Sequence, residues 1–362
     1  MKKYILIILS LLILFFELSC NSPTAPKEND STDTTSNNFT WQKFTFGGNA
    51  GSSSFYDVTI IDENNIWAVG EVYLDSVDGN PDPFPYNAAH WDGSKWDLQK
   101  VPYYYQGLEL YSPIYSILAF NTNDIWFGIG NLIHWDGIQY KPIEVGNSFG
   151  GLVRKMWGIS DNNFYIVGDG GSIALHTANG WQKVQTGTTL QFTDIYGAIS
   201  VLGSYQILAV CTQNYPPSKG IFSIQGNAVT EISSDFDFPG YTVPPELYGV
   251  WFVPNKHYYI VGDGIYEKNS LSESIWKNGP LDITHYAVTE IRGNDLNDVF
   301  AVGSFGEVLH YNGKRWTSYI NETGLDNGSY SGLAVKRNLV VATGANNQQA
   351  VIIIGRSNNL KK

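Results

Sequence analysis

The sequence is poor in cysteine and in positive charge for its length of 362 residues. It has two cysteines, Cys20 and Cys211, so a disulfide framework is excluded as the basis of its stability. Lysine and arginine together number 22 against 34 aspartates and glutamates, which gives a formal net charge of −12. No basic stripe interrupts this acidity, and the chain would repel a phosphate backbone. Nucleic acid is therefore excluded as a partner.

The sequence also lacks the short motifs of the common enzyme classes. It contains no nucleophile elbow, no P-loop and no zinc-ligand spacing. Long charged stripes of helical period are missing as well, whereas glycine (37 residues) and aromatic residues (14%) are plentiful. This composition favours an all-β fold.

No apolar run is long enough to span a bilayer comfortably. The longest, from Tyr4 to Phe16, follows Lys2 and Lys3 and matches the core of a signal peptide. It ends in Leu-Ser-Cys, which resembles the lipobox of bacterial lipoproteins, although Glu17 stands where the lipobox has an aliphatic residue. We expect residues 1–20 to be a lipoprotein signal peptide that ends at a lipidated Cys20. An ordinary secretory signal with a chance cysteine is the alternative.

Residues 21–40 are almost all small and polar, so they predict a flexible tether that buries too little apolar surface to fold. A lipidated Cys20 would anchor such a tether to the bacterial outer membrane, with the periplasmic and surface sides both open. Cys211 ends the apolar run from Ile207 to Val210, which predicts a buried thiol in a strand.

One unit recurs along residues 41–356, a polar Asn/Asp turn followed by an apolar strand that mostly ends in glycine. Its copies are DENNIWAVG (62–70), NTNDIWFGIG (121–130), SDNNFYIVG (160–168), SYQILAV (204–210), PNKHYYIVG (254–262), NDLNDVFAVG (294–303) and KRNLVVATG (336–344). A repeat of this length is typical of a propeller rather than of a helical array. Residues 41–362 are therefore predicted to form an all-β, seven-bladed β-propeller of four-stranded antiparallel blades.

A second recurring segment, HWDG at 90–93 and 134–137 with HYNG at 310–313, predicts corners of these blades. Asp-Gly and Asn-Gly favour a two-residue hairpin turn with positive φ. The two ends of the chain complement each other, because the final repeat supplies three strands and Trp41–Phe46 matches the outer strand of another unit. We expect this N-terminal strand to complete blade 7 and close the ring.

The pattern V-G-x-x-G-x-I-x-x-H-x-x-x-G-W, clearest from Val167 to Trp181, is repeated in part from Phe305 to His310. It resembles the exported β-propellers of the Asp-box (BNR-like) and photosystem II assembly-factor-like group, with WD/YVTN-like repeats. The resemblance covers residues 41–356 and implies the propeller fold. The Asp-box has one residue between Asp and Gly, whereas Asp92-Gly93 and Asp136-Gly137 are adjacent. Because the motif occurs in unrelated functions, it implies no activity.

The long, irregular segments predict where function lies. In a four-stranded meander, the second-to-third connections and the blade-to-blade connections share one face. The insertions at 71–89, 101–113, 212–219 and 233–246 all fall there, and loops carry function more often than the scaffold. Their aromatic residues are candidates for stacking a sugar or anchoring a protein, the alternative being loop packing. They are Phe84, Tyr86, Tyr103, Tyr104, Tyr105, Tyr111, Tyr215, Phe238 and Tyr241.

Metal and catalytic sites are weakly indicated. Asp75, Asp78, Asn80 and Asp82 have a spacing that could gather calcium, but Pro83 replaces the turn glycine of an EF-type loop. The histidines at 90, 134, 176 and 310 occupy equivalent positions in different blades, so the ring separates them and they are predicted to be structural. The chain has only five arginines, which argues against the arginine cluster of a sialidase.

These observations predict a monomeric, non-catalytic binding or assembly module of a bacterial cell envelope, which holds a protein or glycan by aromatic loops on one face. The alternative is a carbohydrate-active enzyme, a glycoside hydrolase or lyase, with paired carboxylates on that face.

Overall fold

The apolar segments of the repeat are strands, because their branched and aromatic side chains pack on both faces of a pleated sheet. The computed structural model describes residues 34–76, 79–80, 82–200, 203–214, 217–233, 246–279, 283–284 and 286–358. These residues form seven antiparallel four-stranded blades, which confirms the predicted propeller. Residues 1–33 lie outside the described residues, so the predicted signal peptide, lipidated Cys20 and most of the tether stay predictions.

Six blades are continuous in sequence, with the first strand innermost and the fourth outermost. Blade 1 contains β2 (Ser54–Asp62), β3 (Asn65–Val72), β4 (Tyr86–Trp91) and β5 (Trp96–Gln99). Blade 2 contains β8 (Ser116–Asn121), β9 (Asp124–Gly128), β10 (Leu132–Trp135) and β11 (Tyr140–Ile143). Blade 3 contains β12 (Val153–Ser160), β13 (Asn163–Gly168), β14 (Ile173–Thr177) and β15 (Gly180–Val184). A separate hairpin of β6 (Tyr103–Tyr105) and β7 (Leu108–Leu110) lies between blades 1 and 2 in the chain.

The remaining blades repeat this order. Blade 4 contains β16 (Gln191–Ile199), β17 (Tyr205–Asn214), β18 (Pro217–Gln225) and β19 (Ala228–Glu231). Blade 5 contains β20 (Leu247–Val253), β21 (His257–Gly262), β22 (Ile265–Lys268) and β23 (Lys277–Asn278). Blade 6 contains β24 (Val288–Asp295), β25 (Asp298–Gly303), β26 (Val308–Tyr311) and β27 (Trp316–Ser318). The described helices are short, at Gly146–Ser148, Asp169–Gly171 and Ile320–Thr323, and none has the length and hydropathy that a membrane crossing requires.

Blade 7 joins the two ends of the chain, as the sequence predicted. Its inner strands are β28 (Gly328–Lys336), β29 (Leu339–Asn346) and β30 (Gln349–Ser357), and its outer strand is β1 (Phe39–Phe46). The ladder between β1 and β30 runs from Phe39 opposite Ser357 to Phe46 opposite Ala350. The N-terminal strand thus begins two residues before the predicted Trp41, and it covers the edge that β30 would otherwise expose.

The core is divided among the gaps between neighbouring blades. In the described part of the chain, seven clusters of buried apolar side chains occupy these gaps, one cluster to a gap. Phe44 and Phe46 of β1 pack between blades 7 and 1, while Phe39 and Trp41 pack between blades 6 and 7. All four side chains are half-buried, so each contributes part of the roughly 1.5–3 kcal/mol of full burial, and the closing strand stabilises two gaps at once. Cys211 is fully buried, as predicted, and burial raises the pKa of its thiol to about 12.

The repeated HWDG segments are corners, although not the two-residue turns that the sequence predicted. Four residues, Asp92 to Lys95, separate β4 from β5, and the Asp92 carboxylate accepts the backbone N–H groups of Ser94 and Lys95 at 2.8 and 2.9 Å. These hydrogen bonds lower the pKa of Asp92 to about 2. Gly93 has φ +96° and lies so close to Asn64 that a Cβ would come within 2.5 Å of its Oδ1. The positive φ of Gly93 was predicted correctly. The predicted loop length was wrong, because the hydrogen bonds to the Asp92 carboxylate stabilise a four-residue loop.

The strand bounds place the connections as the sequence predicted. The first-to-second and third-to-fourth turns lie together on one face of the ring, which we call the plain face. The second-to-third and blade-to-blade connections lie on the opposite face, the loop face, together with the described parts of the insertions at 71–89, 101–113 and 233–246. The predicted irregular insertion at 212–219 was wrong in its described parts, because β17 continues to Asn214 and β18 begins at Pro217.

Candidate functional site

Five charged side chains from the inner strands meet at the centre of the ring. Lys155 Nζ of blade 3 lies 2.8 Å from Asp57 Oδ1 of blade 1 and 3.2 Å from Glu290 Oε2 of blade 6. Arg292 of blade 6 binds both oxygens of Asp194 in blade 4 at 2.7 and 2.9 Å, and its Nη2 lies 2.5 Å from Glu290 Oε1. We call these residues the axis cluster. It links four blades across the channel.

The three carboxylates of the axis cluster have different environments. Asp57 also accepts the N–H groups of Val58 and Ile117, and Asp194 accepts those of Ile195 and Val250, so both bridge to the next blade. Glu290 receives a hydrogen bond from Lys155, but the short contact of its Oε1 with Arg292 lacks hydrogen-bond geometry. Burial raises the pKa of Glu290 to about 7, against the opposing effects of Arg292 and Lys155. Glu290 is therefore the carboxylate that takes up a proton first.

The axis cluster bears on the predicted enzyme alternative. Its carboxylates are almost completely buried and each one is matched by lysine or arginine, so they hold the ring together and offer no exposed acid–base pair. Sequence reasoning missed this cluster because its residues lie on four separate strands. The signal was present in the inner strands, where each charged residue stands two positions after a buried apolar residue. The four charged residues at this aligned position are Asp57, Lys155, Asp194 and Glu290.

The predicted aromatic site is in part an exposed hairpin on the loop face. Strands β6 and β7 pair with each other alone, and Gln106 and Gly107 at its tip have the positive φ values of a tight turn. The exposed side chains of this aromatic hairpin are Tyr104, Tyr105 and Leu108, which are 47%, 50% and 64% exposed. Phe84, in the neighbouring loop, is 43% exposed. A two-stranded hairpin outside the blades thus exposes Tyr105 and Leu108 on one face and Tyr104 on the other.

The other described candidates hold the loops in place. Tyr103 packs against the core between blades 1 and 2, and its hydroxyl accepts a hydrogen bond from Asn131 at 3.2 Å. Lys100 lies 4.8 Å from the centre of the Tyr86 ring and 5.9 Å from that of Tyr111. Tyr111 donates its hydroxyl to Glu109, and this hydrogen bond raises the pKa of Tyr111 to about 12. The loop-packing alternative therefore describes Tyr86, Tyr103 and Tyr111.

Some predicted residues lie outside the described residues, namely Tyr215, Phe238, Tyr241 and Asp78. Of the proposed calcium ligands, Asp82 accepts hydrogen bonds from Lys100 at 2.7 Å and from the N–H of Phe84 at 3.1 Å. Among the described residues, no group of three His, Cys, Asp or Glu side chains is arranged to hold a metal. The calcium prediction is untested because Asp78 belongs to the set.

The repeated histidines are structural, as predicted. His134 Nε2 lies 2.8 Å from the carboxylate of Asp124, which also accepts the indole N–H of Trp126 at 3.0 Å. The rings of His134 and Trp126 are stacked with centroids 4.2 Å apart. Blade 1 repeats this arrangement with His90, Asn65 and Trp67. The histidine thus ties the third strand of the blade to the beginning of the second.

Two cavities on the loop face were not predicted, and they have equivalent walls. The first cavity, about 590 Å³, lies among blades 3, 4 and 5 and is lined by Asp169, Gly170, Thr189, Gln191, Thr193 and Tyr248 with neighbouring residues. The second, about 470 Å³, lies among blades 6, 7 and 1. Its corresponding residues are Ser304, Phe305, Asn327, Ser329, Ser331 and Tyr56.

Hydrogen bonds and strand registers establish this correspondence. Thr193 donates its hydroxyl to the carbonyl of Leu247 in the next blade at 3.0 Å, and Ser331 donates to that of Phe55 at the same distance. The inner strands of blades 4, 7 and 1 each have an irregular register at this point, which turns a side chain toward the mouth of the channel. The two cavities are therefore the same architectural feature, three blades apart.

Solved structures share this fold. YCF48 bound to a D1 peptide superimposes with a TM-score of 0.59 at 14% identity, over 87% of this chain and 96% of that one. YCF48 from Cyanidioschyzon merolae gives 0.61 at 13% identity, over 88% and 99%. Virginiamycin B lyase from Staphylococcus aureus, a catalytically inactive variant solved with quinupristin, gives 0.56 at 10% identity, over 87% and 99%. No family model and no curated protein matches the sequence. At these identities the likeness shows the fold alone.

Proposed function

We propose that this protein is a non-catalytic binding or assembly module, and that its aromatic hairpin captures a segment of a partner protein. The observation that carries the proposal is the exposure of Tyr104, Tyr105 and Leu108 on a hairpin outside the blades. Exposed tyrosines supply large contact area at low cost in conformational entropy, and they are enriched in protein interfaces. Projecting apolar side chains suit a protein surface better than a small ligand, which requires a concave site.

The structural neighbours support a binding role. One of them, YCF48, was solved with a D1 peptide, so a propeller of this kind can hold a peptide. The free edges of the two-stranded hairpin offer a further contact, because an extended partner could pair with unpaired backbone groups there. We further propose that the module is exported and anchored by lipid at Cys20 to the bacterial outer membrane, where the partner would be an envelope protein.

The experiment compares capture by the full chain with capture by two variants. In the first variant, Tyr104, Tyr105 and Leu108 are changed to serine; these residues are exposed and Tyr103, which packs on the core, is kept. In the control, the exposed apolar residues Ile138 and Ile199 of the plain face are changed to serine. Each captured envelope protein is then purified and its direct binding is measured by calorimetry.

We expect a partner that binds the parent and the plain-face control but loses at least tenfold in affinity for the hairpin variant, the loss that one strong interface residue causes. Equal binding to the hairpin variant would refute the proposal. Labelling of the full chain with radioactive palmitate in a lipoprotein-processing host tests the anchor, and label that persists in Cys20→Ser would exclude it.

A further inference from the structure

The second cavity contains a phenylalanine where the backbone favours glycine. Phe305 has φ +58°, in the left-handed region that a bulky side chain rarely adopts. Of the five non-glycine residues with positive φ in the described ranges, it is the one aromatic residue. At the equivalent position of the first cavity stands Gly170, with φ +63°. The same backbone therefore carries a ring at one cavity and no side chain at the other.

The surrounding structure holds Phe305 in this conformation. Its N–H donates to the carbonyl of Gly328 at 2.7 Å, and its carbonyl accepts from the N–H of Leu325 at 2.8 Å. Although its backbone is fixed on both sides, the side chain is 46% exposed. Its ring contacts that of Tyr286, which is 40% exposed, with centroids 4.9 Å apart. Strain that serves no core packing and presents a ring to solvent is typical of functional positions.

The rest of the second cavity is polar and neutral. Among the described residues that line it, none carries a charge, and the lining includes the hydroxyls of Ser54, Ser304, Ser329 and Ser331 and the side-chain amides of Asn327 and Asn347. Ser331 donates to a backbone carbonyl, which leaves the lone pairs of its oxygen free to accept. Asn327 and Asn347 are exposed, and their side-chain amides form no hydrogen bond with another described residue.

A second aromatic surface forms the opposite wall. Tyr56 stacks on Tyr115 with centroids 5.2 Å apart and planes inclined by 16°. The hydroxyl of Tyr56 donates to Glu71 at 2.5 Å, and Tyr73 donates to the other oxygen of the same carboxylate at 2.8 Å. Both oxygens of the Glu71 carboxylate therefore already accept hydrogen bonds within the protein.

We propose that the second cavity binds a neutral saccharide, with a sugar ring stacked on Phe305 and its hydroxyl groups bound by the serine and asparagine side chains. Aromatic rings bind the apolar face of a sugar, and hydroxyl and amide groups match its polar edge. An anionic ligand lacks a cation here and would meet a chain of net charge −12. This site is separate from the aromatic hairpin and does not depend on the proposed capture of a protein.

The test is calorimetric titration of the full chain with three neutral pentasaccharides, cellopentaose, laminaripentaose and chitopentaose. Phe305→Gly removes the ring and restores the residue found at the equivalent position 170, so the fold is retained. Phe305→Tyr keeps a ring for stacking. Gln191→Ala is the matched control, because it alters the wall of the first cavity.

We expect the parent and Phe305→Tyr to bind at least one pentasaccharide, Gln191→Ala to bind it equally well, and Phe305→Gly to bind about tenfold more weakly. Asn327→Ala should also weaken binding. Failure of the parent to bind any of the three, or equal binding by Phe305→Gly, would overturn the proposal. Binding of an extended peptide that depends on Phe305 would assign the cavity to peptides and overturn it as well. The hairpin variant should bind the saccharide normally, which separates this result from that of the protein-capture experiment.

Discussion

The first and second cavities have equivalent walls but different residues at their rims. In both, a hydroxyl of one inner strand donates to a carbonyl of the next blade, and a tyrosine of that next blade also lines the cavity. At the rim, the first cavity has Asp169 and Gly170, whereas the second has Ser304 and Phe305. Features that hold the ring together recur in both, and features that would contact a ligand do not. Comparison between blades thus separates scaffold from candidate site without any homologous sequence.

The blades that carry the two cavities also differ in the residue that they place at the central axis of the ring. Asp194, on the inner strand of blade 4, pairs opposite Val210, and the equivalent residue of blade 7 is Gly332, which pairs opposite Thr343. Asp194 binds Arg292 and the next blade, while Gly332 lies against the backbone of Tyr56 and Asp57. Blade 7 therefore depends less on the axis cluster and more on its closing strand.

Removal of Phe39–Phe46 tests that dependence and should have the largest effect. The deletion exposes the edge of β30 and removes four aromatic side chains from two gaps between blades. These half-buried side chains each contribute part of the roughly 1.5–3 kcal/mol of full burial, and the backbone ladder to β30 is lost with them, which together is a large share of the stability of a typical domain. We expect the cooperative thermal unfolding transition to disappear. An unchanged transition in calorimetry would refute the view that β1 closes the ring.

Asp194→Asn removes the ion pair with Arg292 from the axis cluster, in a blade that lines the first cavity. It leaves the buried Arg292 without its bidentate partner, which typically costs about 3–5 kcal/mol. The control is Asp169→Asn at the rim of the same cavity, where the ion pair with Arg154 is about one-third exposed and should contribute less than about 1 kcal/mol. Chemical denaturation measures both losses. Similar values for the two variants would show that the axis cluster is not a main support of the ring.

Glu290→Gln tests how the axis cluster makes the stability of the folded protein depend on pH. Because burial raises the folded-state pKa of Glu290 from 4.5 to about 7, the folded protein binds more protons than the unfolded one between these values. The stability from this group is fully present below pH 4.5 and is lost as pH rises toward 7, by at most about 1.4 kcal/mol per pH unit. The free energy of unfolding of the parent minus that of the variant, measured by chemical denaturation, should fall with this slope across the window. A difference that stays constant would mean that Glu290 is ionised throughout it.

Exchange of the rim residues has the smallest expected effect on stability and tests the comparison directly. A Cβ at Gly170 would meet nothing within 4 Å, so Gly170→Phe should cost only the left-handed strain, about 1–2 kcal/mol. Phe305→Gly should relieve similar strain, offset by about 0.5–1 kcal/mol of chain entropy, and leave the melting temperature equal or slightly higher. A clear destabilisation by Phe305→Gly would show that the ring of Phe305 serves packing.

The sequence predicted the exposed hairpin only in part. Its density of tyrosines marked the segment, but Tyr103 packs on the core while Tyr104 and Tyr105 are exposed. Composition could not distinguish these neighbours, since they have the same side chain and differ only in what lies beneath. Phe305 was likewise visible as part of a repeat, but its left-handed backbone becomes apparent only when the turn is compared with that of Gly170.

The sequence by itself determined the number of blades, the strands that compose them and the closure by the N-terminal strand. These features follow from local patterns, namely apolar alternation, turn residues and a repeat, which act over a few residues and are copied along the chain. Only the tertiary structure decided the axis cluster and the two cavities. Asp57, Lys155 and Glu290 are far apart in sequence and meet because the ring brings inner strands from different blades to one axis, where burial and pairing depend on every blade at once.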